Sequence, residues 1–217
     1  MIKLKENILP ISVILLLIFY GVGLVNVLMG NDSIMRLSYL NLIISTLVLF
    51  ANHKAWNARI LFNLILVGIF GYTLEVIGVH TGVLFGEYAY GDALGFKVFE
   101  VPLVLALNWI ILSYITLKFG IHLFKSNLVS VIFTSAVMTA LDFLIEPIAV
   151  RYDFWMWFDH GIETPNSIPI QNYIAWFVFA IILNSLLVSD LRKSTNKFWP
   201  YLLITMTVFF VTLNFIS

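Results

Sequence analysis

The sequence predicts an all-α membrane protein, a polytopic helical bundle of about seven transmembrane helices, and three observations carry that expectation. Of 217 residues, 61% are hydrophobic and 11% charged, with a mean hydropathy of +0.98. A soluble domain is about 45–50% apolar and about 25% charged, so this chain lacks the polar surface to cover a globule. Its apolar residues gather in runs long enough to cross a hydrocarbon core of about 30 Å, which takes about 20 helical residues. The runs also lack the period-two alternation of a barrel strand. A single integral membrane domain over residues 1–217 is the expected organisation.

The first run, Ile8–Met29, follows Lys3 and Lys5, as a signal peptide would. It is too long for one, and no small-x-small cleavage site follows, so it is expected to remain as a helix. Leu37–Ala51 is short and needs flanking polar residues to reach the interface. Ile60–Val79, Val101–Leu117, Leu128–Val150, Ile168–Ser189 and Phe198–Ser217 complete the seven. Two connections are long, Thr81–Glu100 and Arg151–Ser167. Both fall on the same side, and long loops are where function concentrates.

Twelve basic residues balance twelve acidic ones, which gives no electrostatic case for nucleic acid as a partner. The basic residues nevertheless sort by side. One side holds Lys3, Lys5, Lys54, Arg59, Lys118, Lys125, Arg192, Lys193 and Lys197, the other only Arg36, Lys97 and Arg151. That asymmetry predicts a multi-pass cell-membrane protein with a cytoplasmic N-terminus, an outer C-terminus and both long loops outside. Seven acidic residues, from Asp32 to Glu163, lean to the outer side. Cysteine is absent, which excludes disulfides, Cys-ligated zinc and thiol catalysis.

The middle of the chain reads as a parallel repeat of helix, outer loop and helix. Glu75 opens Glu-Val-Ile-Gly-Val and Glu146 opens Glu-Pro-Ile-Ala-Val. Val101-Pro102 precedes Trp109 as Ile168-Pro169 precedes Trp176, with the tryptophan seven residues after the proline each time. Proline in a first turn is also a plain helix-start signal. Repeats of this kind place binding sites at their interface.

Three carboxylates lie inside predicted spans: Glu75, Asp142 and Glu146. Each costs roughly 2.5–3.5 kcal/mol or more if charged at the centre of a helix in lipid. They are therefore expected to face the bundle, to be paired or to be protonated. Asp142 and Glu146 are four residues apart, so they share a helix face with about 5–6 Å between their Cβ atoms. A neutral carboxylic acid beside an ionised carboxylate is what acid–base catalysis uses. The bland alternative is a buried hydrogen-bonding network, with Arg151 neutralising Asp142 or Glu146. Pro147 should free the Phe143 carbonyl and kink its helix, unless it is merely tolerated near the helix end. Asn108 and Asn172, in or near first turns, could bind water or a carboxylate, or cap and cross-link helices.

The long loops are rich in aromatic residues, including Tyr88, Tyr90, Trp155 and Trp157. An interfacial belt is the default for most of these, but the density over Tyr152–Phe158 exceeds what a belt needs. Aromatic faces also stabilise cations and line apolar pockets; Trp109 and Trp176, inside helices, are the stronger pocket candidates. His53, His80, His122 and His160 offer no metal-ligand spacing. Glycines 78, 82, 86, 91 and 95 fit turns and helix packing rather than a phosphate loop. All eight lysines lie in predicted loops or at helix ends, so a seven-helix retinal protein, which needs a buried Schiff-base lysine, is excluded.

The stretch from Glu75 through Val-Ile-Gly-Val-His-Thr-Gly-Val-Leu-Phe-Gly-Glu to Tyr88-Ala-Tyr90 resembles a signature of the CruF-type carotenoid 1,2-hydratases. Asp142-Phe-Leu-Ile-Glu-Pro-Ile-Ala-Val-Arg151, continuing to Trp155-Met-Trp157, is similar to a second. Pro102 through Asn108-Trp109, and Pro169 through Asn172 to Trp176, also fit, so the resemblance covers about residues 70–180. Glu100 stands where that family would have a small residue, and Asp153 where it would have glycine.

The resemblance implies a cofactor-independent membrane enzyme of carotenoid biosynthesis. Its substrates would be lycopene-like, γ-carotene-like or acyclic bacterioruberin-precursor carotenoids, its solvent the lipid bilayer, and its candidate partners other carotenoid biosynthesis enzymes. Water would add across the terminal 1,2 double bond. Glu75, Asp142 and Glu146 would supply acid–base chemistry. Trp109, Trp176, Asn108, Asn172, Tyr88, Tyr90, Arg151, Trp155 and Trp157 would contact substrate. No metal is required. Two alternatives stand beside it. A heterodimeric-type lycopene cyclase begins with the same protonation but traps the cation with a neighbouring alkene, giving β-ionone rings. A proton-coupled transporter would spread its carboxylates through the membrane depth, whereas here they cluster at the outer end and the inner half has no titratable partner.

Overall fold

The computed structural model describes residues 8–164 and 167–216; Lys3 and Lys5 of the charge count, and Ser217 of the last span, lie outside the described residues. Seven helices in this range are long and apolar enough to cross a membrane. They are α1 (Ile8–Leu28), α2 (Ser38–Ala51), α3 (Ala58–Thr81), α4 (Leu105–Leu123), α5 (Asn127–Arg151), α6 (Ile170–Lys193) and α7 (Trp199–Ile216). The all-α polytopic bundle expected from composition is what the chain forms. The short second span is lengthened by its polar flank: a 3-10 helix over Asp32–Leu37, which carries Asp32, Ser33 and Arg36, runs directly into α2.

Local chemistry sets several ends. Asn57 caps α3 by accepting from the Ile60 N–H at 3.1 Å, and Ser126 caps α5 by accepting from Val129 at 3.4 Å. Gly82 closes α3 in the left-handed conformation at φ 64°, with its N–H on the Gly78 carbonyl. α5 runs through Pro147 without ending there. Asn214 of α7 donates to the Leu144 carbonyl at 2.8 Å, in the turn that Pro147 disturbs.

α4 is the most enclosed helix, with 67% of its span buried, and it packs against α3, α5, α6 and α7. It begins later than expected. Val101–Pro102 is a strand (β4) paired with Lys97–Val98 (β3), not the start of the helix. The turn between them, Phe99-Glu100, has positive φ at both residues (49° and 64°), the backbone a two-residue hairpin needs. Tyr72 of α3 pins the hairpin by bonding the carbonyls of Val98 and Val101 at 2.6 and 3.0 Å. Pro169, by contrast, directly precedes α6 as its N-cap residue, so the two proline segments differ in local structure.

The other expected loops also hold strands. At one end of the bundle, β1 (His53–Lys54) pairs with β7 (Thr195–Asn196). At the other, β2 (Glu87–Tyr90), β5 (Trp155–Asp159) and β6 (Ile162–Glu163) form a three-stranded antiparallel sheet. His160-Gly161 makes the tight turn between β5 and β6. Asp153, where the family resemblance implied glycine, sits at φ 58°, in the region glycine enters most freely and aspartate tolerates.

Two expectations about charge are corrected. α4 continues past Leu117 to Leu123 and takes Lys118 inside the bundle. Its ammonium is buried and donates to the carbonyls of Leu191 and Ser194 at 3.0 and 2.8 Å. A lysine is therefore buried after all, held by the end of α6. α6 likewise extends to include Asp190, which is buried, accepts from Asn63 at 2.7 Å and pairs with Arg59 at 3.2 Å. The half of the bundle away from Glu75 is thus not free of titratable groups.

Candidate active site

The sheet at one end of the bundle forms the roof of a polar site. Its register places Tyr88 opposite Trp157 and Tyr90 opposite Trp155. Strand residues two apart share a face, so all four large aromatics of this pairing share one, and their polar atoms meet carboxylates of the bundle. A membrane belt would not aim them this way. Burial, and then the charge of Glu75, push the phenols of Tyr88 and Tyr90 up, so both remain protonated donors.

Glu75 is buried on α3 and accepts three hydrogen bonds. Tyr88 and Tyr90 donate to Oε2 at 2.8 and 2.7 Å, and the Trp109 indole donates to Oε1 at 2.9 Å. Two glycines make the approach possible. A Cβ at Gly71 would collide with the Trp109 ring, and one at Gly78 would lie 2.7 Å from the Tyr88 hydroxyl. The turns of α3 flanking Glu75 are therefore bare where its partners come in.

Glu146 is buried on α5 and also accepts three. Trp155 and Trp157 donate to Oε2, both at 2.9 Å, and Asn172 of α6 donates to Oε1 at 3.0 Å. The same Asn172 amide nitrogen donates to Oδ2 of Asp142 at 2.9 Å. One residue of α6 thus bridges the two carboxyls that α5 presents a turn apart. Trp109 and Trp176 stack nearly parallel, with centroids 4.2 Å apart and planes 8° apart.

Glu75, Asp142 and Glu146 line one cavity together with Phe85, Tyr88, Tyr90, Asn108, Asn172, Trp155, Trp157 and Trp176. The space inside is about 20 Å³, and a single water needs roughly 10–15 Å³. Trp109 reaches this cluster through Glu75 and Trp176. Arg151 stands apart from it: exposed at the end of α5, its guanidinium lies 5.5 Å from the centroid of the Tyr152 ring. Among the described residues it makes no ion pair with Asp142 or Glu146. No group of three or more His, Asp or Glu among the described residues is placed to hold a metal ion. Leu105 also lines the cavity, with no sequence signal beyond its apolar character, and Phe85 lines it from within the Glu75–Tyr90 stretch. The roof strands had one, the period-two aromatics of Tyr88-Ala-Tyr90 and Trp155-Met-Trp157.

Comparison with known proteins agrees with the signatures read from the sequence. A 127-residue stretch, 53% of this chain, is 29% identical to a protein of Haloarcula japonica named bisanhydrobacterioruberin hydratase. The aligned part is only 40% of that relative's length. No solved structure matches the chain. The sequence model of the family described as "Carotenoid biosynthesis protein" matches residues 34–217, from the 3-10 helix to the end, and the chain belongs to that family.

Proposed function

We propose that the chain is a carotenoid 1,2-hydratase, which adds water across the terminal double bond of an acyclic carotenoid end without a metal, nucleotide or flavin. The observation that carries this is the cavity itself. Three carboxyl groups from two helices face a space with room for one water, beneath a roof of indole and phenol rings. The name of the Haloarcula relative supports the same reaction class.

The donor pattern suggests the roles. Three hydrogen-bond donors point at Glu75 and three at Glu146, which favours the ionised carboxylate in each. Among the described residues Asp142 accepts a hydrogen bond from Asn172 alone, which makes it the carboxyl best suited to hold a proton. In the proposed reaction Asp142 donates that proton to C2, and the π electrons form the new C–H bond. This leaves a tertiary cation at C1, stabilised by the aromatic rings that line the cavity. Water attacks C1 and gives a proton to Glu146. Glu146 returns it to Asp142 one turn away, so the net change is one water added as H and OH. Glu75, fixed by three donors, contributes the second fixed negative charge beside the cation. Trp109 and Asn172 position the carboxylates. Tyr88, Tyr90, Trp155 and Asn108 shape the walls.

Candidate substrates are lycopene-like, γ-carotene-like and bacterioruberin-precursor carotenoids, and other enzymes of the same biosynthesis are candidate partners. The positive-inside asymmetry supports a cytoplasmic N-terminus with the site near the outer face. The end opposite the site carries Lys54, Arg59, Lys125, Arg192, Lys193 and Lys197. The test is expression in a host that accumulates lycopene or γ-carotene, with chromatographic analysis of the pigments. A 1-hydroxylated product is expected. β-Ionone rings with no hydroxylated product would instead favour the cyclase.

A further inference from the structure

A second, larger space adjoins the carboxylate cavity. It is an apolar groove of about 210 Å³ between α1, the 3-10 helix, α2 and α7. Leu105, Asn108 and Trp155 line both spaces, so the groove and the cavity share a wall. Trp155 joins them directly: its indole N–H is held by Glu146 while the residue also borders the groove.

The groove is graded from inside to outside. Met35, Met206 and Phe209 are buried on its floor, whereas Phe19, Val22, Leu37 and Leu40 are exposed at its rim. The rim residues are apolar and sit on segments long and apolar enough to cross a membrane, so the rim suits lipid better than water. The carboxylate cavity is closed on its other side by the sheet, where Tyr88 and Trp157 are 7% and 2% exposed. The groove therefore reaches the wall of the cavity from the side of the bundle, away from the sheet.

We propose that this groove is the binding site for the terminal stretch of a linear isoprenoid hydrocarbon. The chain enters laterally past α1 and α2, with its end at the shared wall and its remainder in the bilayer. The proposal rests on the hydratase function for the identity of the chain, while its own content is the groove and the direction of access. The volume is below the roughly 300–1,000 Å³ that encloses a whole small-molecule ligand, which fits one end of a long polyene better than an entire molecule. An apolar groove also suits a substrate with no polar group to anchor.

Two glycines of α1 allow a matched test. Gly23 lines the groove, and a Cβ there would lie 3.5 Å from the Phe209 ring, an ordinary contact. Gly21, two residues away, has nothing within 4 Å of a Cβ and does not line the groove. The series Gly23→Ala, Gly23→Leu and Gly23→Trp, with Gly21→Trp as control, would be expressed in a host making an acyclic carotenoid and purified in mild detergent. Two quantities are read: polyene absorbance retained per mole of protein, and the fraction of pigment hydroxylated in the cells. Retention and hydroxylation should both fall as the side chain at position 23 grows, by about tenfold or more for Gly23→Trp, while Gly21→Trp matches wild type. If Gly23→Trp does not accumulate as folded protein, Leu40→Trp obstructs the groove from α2 and is expected to act alike. Wild-type retention and hydroxylation by both obstructed variants would overturn the groove and leave the hydratase standing. So would purified wild type carrying phospholipid but no polyene while still hydroxylating. Retention that depends on position 23, with no hydroxylated product from wild type, would support the groove and overturn the hydratase.

Discussion

Trp109 of α4 lies flat on Trp176 of α6, with ring centroids 4.2 Å apart and planes 8° from parallel. The same Trp109 donates its indole N–H to Glu75 of α3 at 2.9 Å. One side chain therefore ties the carboxylate on α3 to the helix that carries Asn172. Trp109→Phe keeps a ring for the stack and removes the donor. A hydrogen bond to a charged group is worth about 1.5–3 kcal/mol, so hydroxylated product should fall roughly tenfold to a hundredfold while the protein still purifies folded. Unchanged conversion would show that Glu75 does not depend on this donor.

Asn172 should be as sensitive. Its amide nitrogen reaches both Asp142 and Glu146, at 2.9 and 3.0 Å. Asn172→Leu keeps the volume but leaves two buried carboxyls without their shared partner, a loss of about 1–3 kcal/mol or more. Thermal unfolding in detergent should shift down by several degrees, and hydroxylation should drop by at least about tenfold. A variant with wild-type melting and product would mean that the two carboxyls find other partners.

The bare face of α3 predicts an asymmetry between two glycine substitutions. Gly71→Ala puts a methyl group into the Trp109 ring, whereas Gly21→Ala meets open space. The first should destabilise by about 1–3 kcal/mol through overpacking. The second should be neutral or stabilising by up to about 1 kcal/mol, because alanine is the better helix former. Melting temperatures of the two variants, measured side by side, check the order.

At the opposite end, His53 bonds the Tyr114 hydroxyl through Nδ1 at 2.5 Å, within the β1–β7 pairing that closes that end. Burial, and behind it the Lys118 ammonium, lowers its pKa from 6.5 to about 4. Between those values the unfolded chain binds a proton that the folded chain refuses, so stability rises with pH there and is lost as pH falls from 6.5 towards 4. His53→Gln, which does not titrate, should flatten the melting temperature over that window relative to wild type. Equal slopes for the two proteins would contradict the assignment.

Much of this was legible in the sequence because it rests on composition and period. Long apolar runs fix seven spans in lipid, and the four-residue spacing of Asp142 and Glu146 puts them on one helix face. The roof was harder to see. Tyr88, Tyr90, Trp155 and Trp157 alternate with period two, but runs of four and five residues are too short to separate from an interfacial belt until the strands pair. Val101-Pro102 suits both a first helical turn and an edge strand, and only the Phe99-Glu100 hairpin decides between them. A lysine normally ends a span, so the local sequence places Lys118 in a loop. Its burial depends on carbonyls of Leu191 and Ser194, more than 70 residues away in the chain. The convergence of Glu75 with Asp142 and Glu146 is likewise a matter of helix packing, which no local pattern encodes.

In the proposed reaction, water enters the product in a cavity walled by these three carboxyls. This is tested most directly by converting an acyclic carotenoid in ¹⁸O-labelled water and weighing the product by mass spectrometry, with wild type and with Asp142→Asn. Wild type should place one ¹⁸O in the new tertiary hydroxyl, and Asp142→Asn should leave the acyclic end unreacted. An unlabelled hydroxyl would contradict hydration, and a labelled one formed equally well by Asp142→Asn would contradict the role of Asp142.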